Sequence, residues 1–173
     1  MRSVPQPTKL KFDLSASLHL ICVEKDAINL VCTKLNALEY IPVNLQIFYQ
    51  GAIAIARKDL DIEQFDSTEN LEARLQNFLQ QAYMGTRFYA VGSEQFVQNL
   101  RRLARSFGML EEEIHLEIVN RKVKNIYCST CHRINPQVQT NIITCSGCGI
   151  KLEVWEHFSR LKNAYLGVCA DAE

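Results

Sequence analysis

The stretch "RFYAVGSEQFVQNLRRLARSFGMLEEEIHLEIV", Arg87 to Val119, decides the fold. It opens on an apolar strand, Arg87 to Gly92, and runs into a helix whose Phe96, Leu100, Leu103 and Phe107 recur at helical spacing. Gly108 is placed to cap that helix at its C-terminal end, and "EEIHLEIV" supplies a second strand. The same alternation extends toward the N-terminus. "SLHLICV", Ser17 to Val23, is a nearly continuous apolar run, as in a strand covered on both faces. Asp26 is the expected N-cap of a helix bearing Ile28, Val31, Cys32 and Leu35. "NLQIFYQGAIAIAR", Asn44 to Arg57, reads as strand with Gly51 at a turn or bulge, and "STENLEARLQNFLQQAY" stacks Leu71, Leu75, Phe78, Leu79 and Ala82 on one helix face. Strands separated by single helices make βαβ units, so the expectation is an α/β domain with a three-layer parallel sheet over residues 9–122, after a lead-in at 1–8.

Composition is that of a globular chain: 173 residues, 47% hydrophobic and 22% charged. The formal net charge of zero gives no global field toward nucleic acid or membrane. "MRSVPQPTKLKFDLSASLHLICVEKD" lacks the apolar core and small-residue cleavage site of a secretory leader, and no window has the eighteen or so apolar residues of a membrane span. A cytoplasmic protein with no membrane partner is the expectation. In that compartment paired thiols indicate metal or redox chemistry.

Four of the seven cysteines lie in "YCSTCHRINPQVQTNIITCSGCG", Tyr127 to Gly149, as two CxxC pairs thirteen residues apart. Each CxxC turn can present two thiolates to one metal while backbone N–H groups donate to the sulfurs, so Cys128, Cys131, Cys145 and Cys148 complete a tetrahedron. Gly147 and Gly149 suit a tight turn, and the intervening residues suffice for a short hairpin. The reading is a zinc ribbon over 123–152 with a structural zinc, since four protein ligands leave no position for a reactive water. A single rubredoxin-like iron, an iron–sulfur cluster, or four inert or disulfide-linked cysteines are the alternatives. His132 reads as an exposed ribbon side chain. Arg121, Lys122, Lys124, Arg133 and Lys151 lie from 121 to 151 with no acid among them; much of this excess offsets the charge of the thiolates, and the rest is available to nucleic acid or an acidic protein. Cys22 and Cys32 read as core, and Cys169 has no evident activating His.

The stretch from Arg87 to Val119 also resembles the last quarter of the nicotinamide-binding domain of ferredoxin-reductase-like flavoproteins. Gly92 matches the family's glycine, while Val91 stands in place of its cysteine and Ser93 in place of its proline. "CVEKDAIN" after the first strand holds no glycine to admit a pyrophosphate, so the resemblance implies a degenerate domain without a nucleotide site and no cofactor-binding residues.

The end of the chain, "LEVWEHFSRLKNAYLGVCADAE", resembles the dimethylamine monooxygenase subunits called DmmA-like. The resemblance rests on the two CxxC pairs, His157-Phe158-Ser159-Arg160, Ala164-Tyr165, Gly167-Val168 and Asp171-Ala172-Glu173, with Glu156 where aspartate is expected and Leu161 where a second arginine is common. It implies an accessory, non-catalytic subunit of a multi-component enzyme that oxidatively N-demethylates dimethylamine to methylamine and formaldehyde with NADPH and O2. Haem, flavin and iron–sulfur groups would lie in partner subunits of a hetero-oligomeric complex, with no nucleic-acid partner. A free-standing zinc-ribbon protein that binds nucleic acid and a rubredoxin-like electron carrier are the competing functions. Residues 153–173 read as a docking tail, with Trp155, Phe158 and Tyr165 as apolar anchors and His157, Arg160, Asp171 and Glu173 as polar contacts.

Overall fold

A computed structural model describes residues 9–25, 27–52, 57, 59–119 and 123–170. The chain divides into two compact units, with the division between Val119 and Asn120.

The first unit holds β1 (Leu18–Glu24), α1 (Ala27–Asn36), β2 (Leu45–Gln50), β3 (Asp61–Phe65), α2 (Thr68–Leu79), β4 (Thr86–Gly92), α3 (Glu94–Ser106) and β5 (Ile114–Ile118). Its five strands lie in the order β3-β2-β1-β4-β5, all parallel. Alternation along the central strands explains the three layers. Leu20, Cys22, Phe48, Phe88 and Ala90 face α2 and α3, where they meet Leu71, Leu75, Val97 and Leu100. Ile21, Val23, Ile47, Tyr49, Tyr89 and Val91 face the other way onto Ile28, Val31 and Leu35 of α1 and onto Leu10. Both faces of the sheet are thereby removed from water, which is why β1 and β4 read as unbroken apolar runs. Ser67 and Ser93 cap α2 and α3, their hydroxyls accepting from the N–H groups of Asn70 and Phe96.

The differences from the sequence reading have physical causes. β3 carries no apolar run because it is an edge strand, partly exposed along its length, and nothing in "DIEQF" signals it. The strand expected over 44–57 ends at Gln50; residues 53–56 lie outside the described residues, as do the Asp26 cap and residues 1–8. Phe107 is not on the buried face of α3 but is its half-exposed C-cap residue, and Met109, beyond Gly108, fills the core in its place. Gly108 has the left-handed φ of 89° expected at that end.

The second unit is a five-stranded sheet of β6 (Lys124–Cys128), β7 (Ile134–Val138), β8 (Ile142–Thr144), β9 (Lys151–Ser159) and β10 (Ala164–Cys169), ordered β7-β6-β10-β9-β8. This corrects two expectations. The residues between the CxxC pairs do not form one hairpin, for β7 and β8 lie at opposite edges of the sheet; each CxxC instead turns a separate hairpin, β6–β7 and β8–β9. Residues 153–170 are not a tail apart from the ribbon, because β9 and β10 are interior strands of its sheet. No helical stripe is visible there because Leu152, Val154 and Phe158 fall at period-two positions, interrupted at the exposed Glu156, where the pairing with β10 shifts register. Among the described residues no helix is long and apolar enough to cross a membrane.

Candidate metal centre

The two CxxC turns are copies of one local structure. In the first, the N–H of His132 donates to the carbonyl of Cys128 at 3.0 Å and that of Cys128 to the carbonyl of Arg133 at 2.9 Å. In the second, Gly149 donates to Cys145 at 3.0 Å and Cys145 to Ile150 at 2.8 Å. Each turn closes on a residue of positive φ, His132 at 65° and Gly149 at 75°; the glycine adopts this without strain, and Gly147, also expected to need it, does not.

The turns bring the Sγ atoms of Cys128, Cys131, Cys145 and Cys148 within 4.8 Å of one another. Cys128 and Cys148 are 3.8 Å apart, Cys131 and Cys145 3.5 Å. A tetrahedron with metal–sulfur bonds of about 2.3 Å has edges of about 3.8 Å, so the cage fits one such ion. Backbone donors point at the sulfurs: Cys131 N–H to Cys128 Sγ at 3.5 Å and Gly147 N–H to Cys145 Sγ at 3.4 Å. Backbone N–H groups of Cys148 and Gly147, with help from the Asn135 amide, draw the Cys145 thiol down to about 6. At Cys148 the Ile150 N–H favours the thiolate, but desolvation and the three neighbouring sulfurs outweigh it and push the thiol up to about 12. Four thiolates this close need a cation among them, and the donor set suits zinc or a single iron.

Asn135 on β7 is buried, and sequence reasoning missed it. Its Oδ1 accepts the Ser146 N–H at 2.8 Å and its Nδ2 reaches the Ile126 carbonyl at 3.4 Å and Cys145 Sγ at 3.6 Å, so one side chain clamps the second turn to the first hairpin. The signal in the sequence was an uncharged amide between the cysteine pairs at an inward strand position, legible only once the register is known. His132 is not a ligand: its Nδ1 lies 2.6 Å from the Tyr127 hydroxyl.

The expected docking residues separate. Phe158 and Tyr165 are each 5% exposed and pack edge-to-face in the core of the second unit, so they are structural. Trp155 is 52% exposed, and His157 and Arg160 are exposed. Asp171 and Glu173 lie outside the described residues.

In the first unit, strand order reverses between β1 and β4, where open α/β sheets bind ligands. At their C-terminal ends the Glu24 carboxylate accepts the Ser93 N–H at 2.7 Å. A Cβ on Gly92 would stand 2.7 Å from Glu24 Cβ and 2.9 Å from its Oε2, so the glycine makes room for this carboxylate. The anion position at the start of α3 is held by the protein itself.

Comparison with known proteins agrees with this two-part chain. The profile of the dimethylamine monooxygenase subunit DmmA-like N-terminal domain matches residues 1–114, and that of the DmmA-like C-terminal domain matches residues 125–168. The chain belongs to the DmmA-like family. A relative from Ectopseudomonas mendocina (strain ymp), the heme-dependent oxidative N-demethylase delta subunit, is 38% identical over 114 residues, a match that spans 66% of this chain and 65% of that protein's length. Among solved structures, a ferredoxin reductase of carbazole 1,9a-dioxygenase is 16% identical with a TM-score of 0.45, over 59% of this chain and 33% of that one. Phthalate dioxygenase reductase is 12% identical with a TM-score of 0.42, over 75% of this chain and 47% of that one. Likenesses this loose identify no function. In the DmmA-like chain the cysteine cage falls within the C-terminal match and the Glu24–Ser93 contact within the N-terminal one.

Proposed function

We propose that this DmmA-like chain is an accessory, non-catalytic subunit of a hetero-oligomeric oxygenase that removes a methyl group oxidatively from an amine. The observation that carries the reading is the 38% identity to the delta subunit of a heme-dependent oxidative N-demethylase. The site geometry supports the division of labour. Cys128, Cys131, Cys145 and Cys148 would hold a structural zinc, whose chemistry is to fix two hairpins at a closed four-sulfur centre with no open position. The Glu24 carboxylate at the start of α3 disfavours a nucleotide phosphate there through like charge. The finer reading is dimethylamine as substrate, with NADPH and O2 consumed at haem, flavin and iron–sulfur groups of companion subunits. Within the chain, Trp155, His157 and Arg160 support docking by their exposure.

The experiment is to purify the native complex through a tag on this chain, separate the subunits and measure metal and cofactor in each. Zinc here and haem elsewhere is expected, with demethylation of dimethylamine by the whole complex. Recovery of the chain without an oxygenase partner, or haem or flavin bound to it, contradicts the proposal.

A further inference from the structure

Strand register places a row of apolar side chains across the outer face of the second sheet. Ile134 on β7 pairs with Tyr127 on β6, Tyr127 with Leu166 on β10, and Leu166 with Trp155 on β9. One step along, Val168 pairs with Glu153, and Glu153 with Ile142 on β8. These residues alternate with Ile126, Leu152 and Ile143, which point into the core, so the row lies on the opposite face. Trp155 is 52% exposed, Ile142 59% and Ile134 40%, while Tyr127, Leu166 and Val168 are half-buried. An outer face with a large apolar group from each of the five strands, Glu153 lying among them, is more than the scattered exposure of an ordinary surface.

Charge says what covers it. Residues 120–173 carry seven Lys and Arg against four Asp and Glu, a net +3, whereas residues 8–119 carry eleven against fifteen, a net −4. A metal-bound tetrathiolate takes up about two of those positive charges, so the local arrangement decides. Lys162 stands 5.3 Å from the ring centroid of Tyr127, within the row. Lys151, paired with Thr144, lies on the outer face of β9 one outward position beyond Glu153. The ion pairs among the described residues all lie in the first unit, and none involves Lys151, Arg160 or Lys162. Within the row the Glu153 carboxylate accepts from the Trp155 indole, while Lys151 and Lys162 stand beside the apolar groups with no ion pair among the described residues. Two such cations beside apolar groups fit a surface that brings its own carboxylates.

We infer that the outer face of this sheet, centred on Trp155 and Leu166, docks a companion subunit through an apolar protein segment flanked by carboxylates. The inference rests on the subunit reading above. It ties the interface to the metal site, because Tyr127, in the middle of the row, bonds through its hydroxyl to His132, which follows Cys131. Trp155 is the anchor: its indole N–H donates to Glu153 at 3.2 Å, which fixes the ring while leaving its face open.

Trp155 is the chain's one tryptophan, so 5-fluorotryptophan labelling of the full chain gives a single fluorine resonance at the proposed contact. Adding the purified companion subunits of the native complex is expected to shift and broaden it. The variants W155S and I142S together, at exposed positions that leave the metal content unchanged, are expected to weaken co-purification of the haem-containing partner at least about thirtyfold. Lys162→Glu is expected to weaken it less, with the difference vanishing at high salt. Three results overturn the docking face: an unshifted resonance in a complex that still forms, undiminished association of the double variant, or loss on Lys162→Glu of salt-sensitive oligonucleotide binding while the complex stays intact. Failure of the wild-type chain to associate with any companion subunit overturns the subunit reading itself, and this face with it.

Discussion

Glu24 at the end of β1 places its Oε2 2.7 Å from the backbone nitrogen of Ser93, the residue that caps α3. The two residues close the end of the sheet from adjacent strands. A carboxylate at a helix N-terminus is favourable through both its charge and its hydrogen bond.

Replacing Glu24 by Gln keeps the shape and removes the charge. Loss of about 1–2 kcal/mol is expected, read as a fall of several degrees in the melting temperature of the first unit. Calorimetric titration with NADPH is expected to show no micromolar binding to the wild-type chain. Unchanged stability in E24Q would remove the structural role assigned to this carboxylate.

Asn135→Ala leaves the Ser146 N–H without its acceptor and Cys145 Sγ without its side-chain donor. Metal affinity is expected to fall about 10–100-fold, measured by competition with a chromophoric chelator, with the four sulfurs still in place. A variant that holds metal as tightly as the wild type would show that the cysteine turns alone fix the site.

His19 on β1 and His115 on β5 stack on either side of Tyr89, with ring centroids 5.8 and 5.0 Å from it, and Arg87 and Asp13 lie beside them. Burial draws both imidazoles below the ordinary value of 6.5; Arg87 lowers them further and Asp13 opposes. The unfolded chain therefore takes up these protons at higher pH than the folded one. Stability is complete above about pH 6.5 and declines as the pH falls toward the folded values. Urea midpoints measured from pH 7.5 to 5 are expected to drop through this window, and His115→Asn is expected to flatten the slope. A midpoint independent of pH in that range would show that the imidazoles titrate alike in both states.

Much of the first unit was legible because burial on both faces writes continuous apolar runs into β1 and β4 and periodic faces into α2 and α3. β3 was not, since an edge strand needs no such run. The cysteine spacing disclosed which four sulfurs converge, because two turns of one design need the same residues at the same separation. The strand pairing around them was not disclosed: β10 inserts between β6 and β9, and the exposed Glu156 interrupts the apolar alternation that would have marked β9. Phe158 and Tyr165 illustrate the cost. Aromatic content suggested docking for both, whereas only register separates these buried rings from the exposed Trp155.

The proposed closed zinc centre supports a subunit without redox chemistry of its own. Elemental analysis of this chain, separated from its purified native complex, tests it most directly. One zinc per chain is expected, lost together with the fold of residues 123–170 when Cys145 and Cys148 are both replaced by serine, while the first unit stays folded. Iron at that stoichiometry, or a folded second unit without metal, would contradict the account.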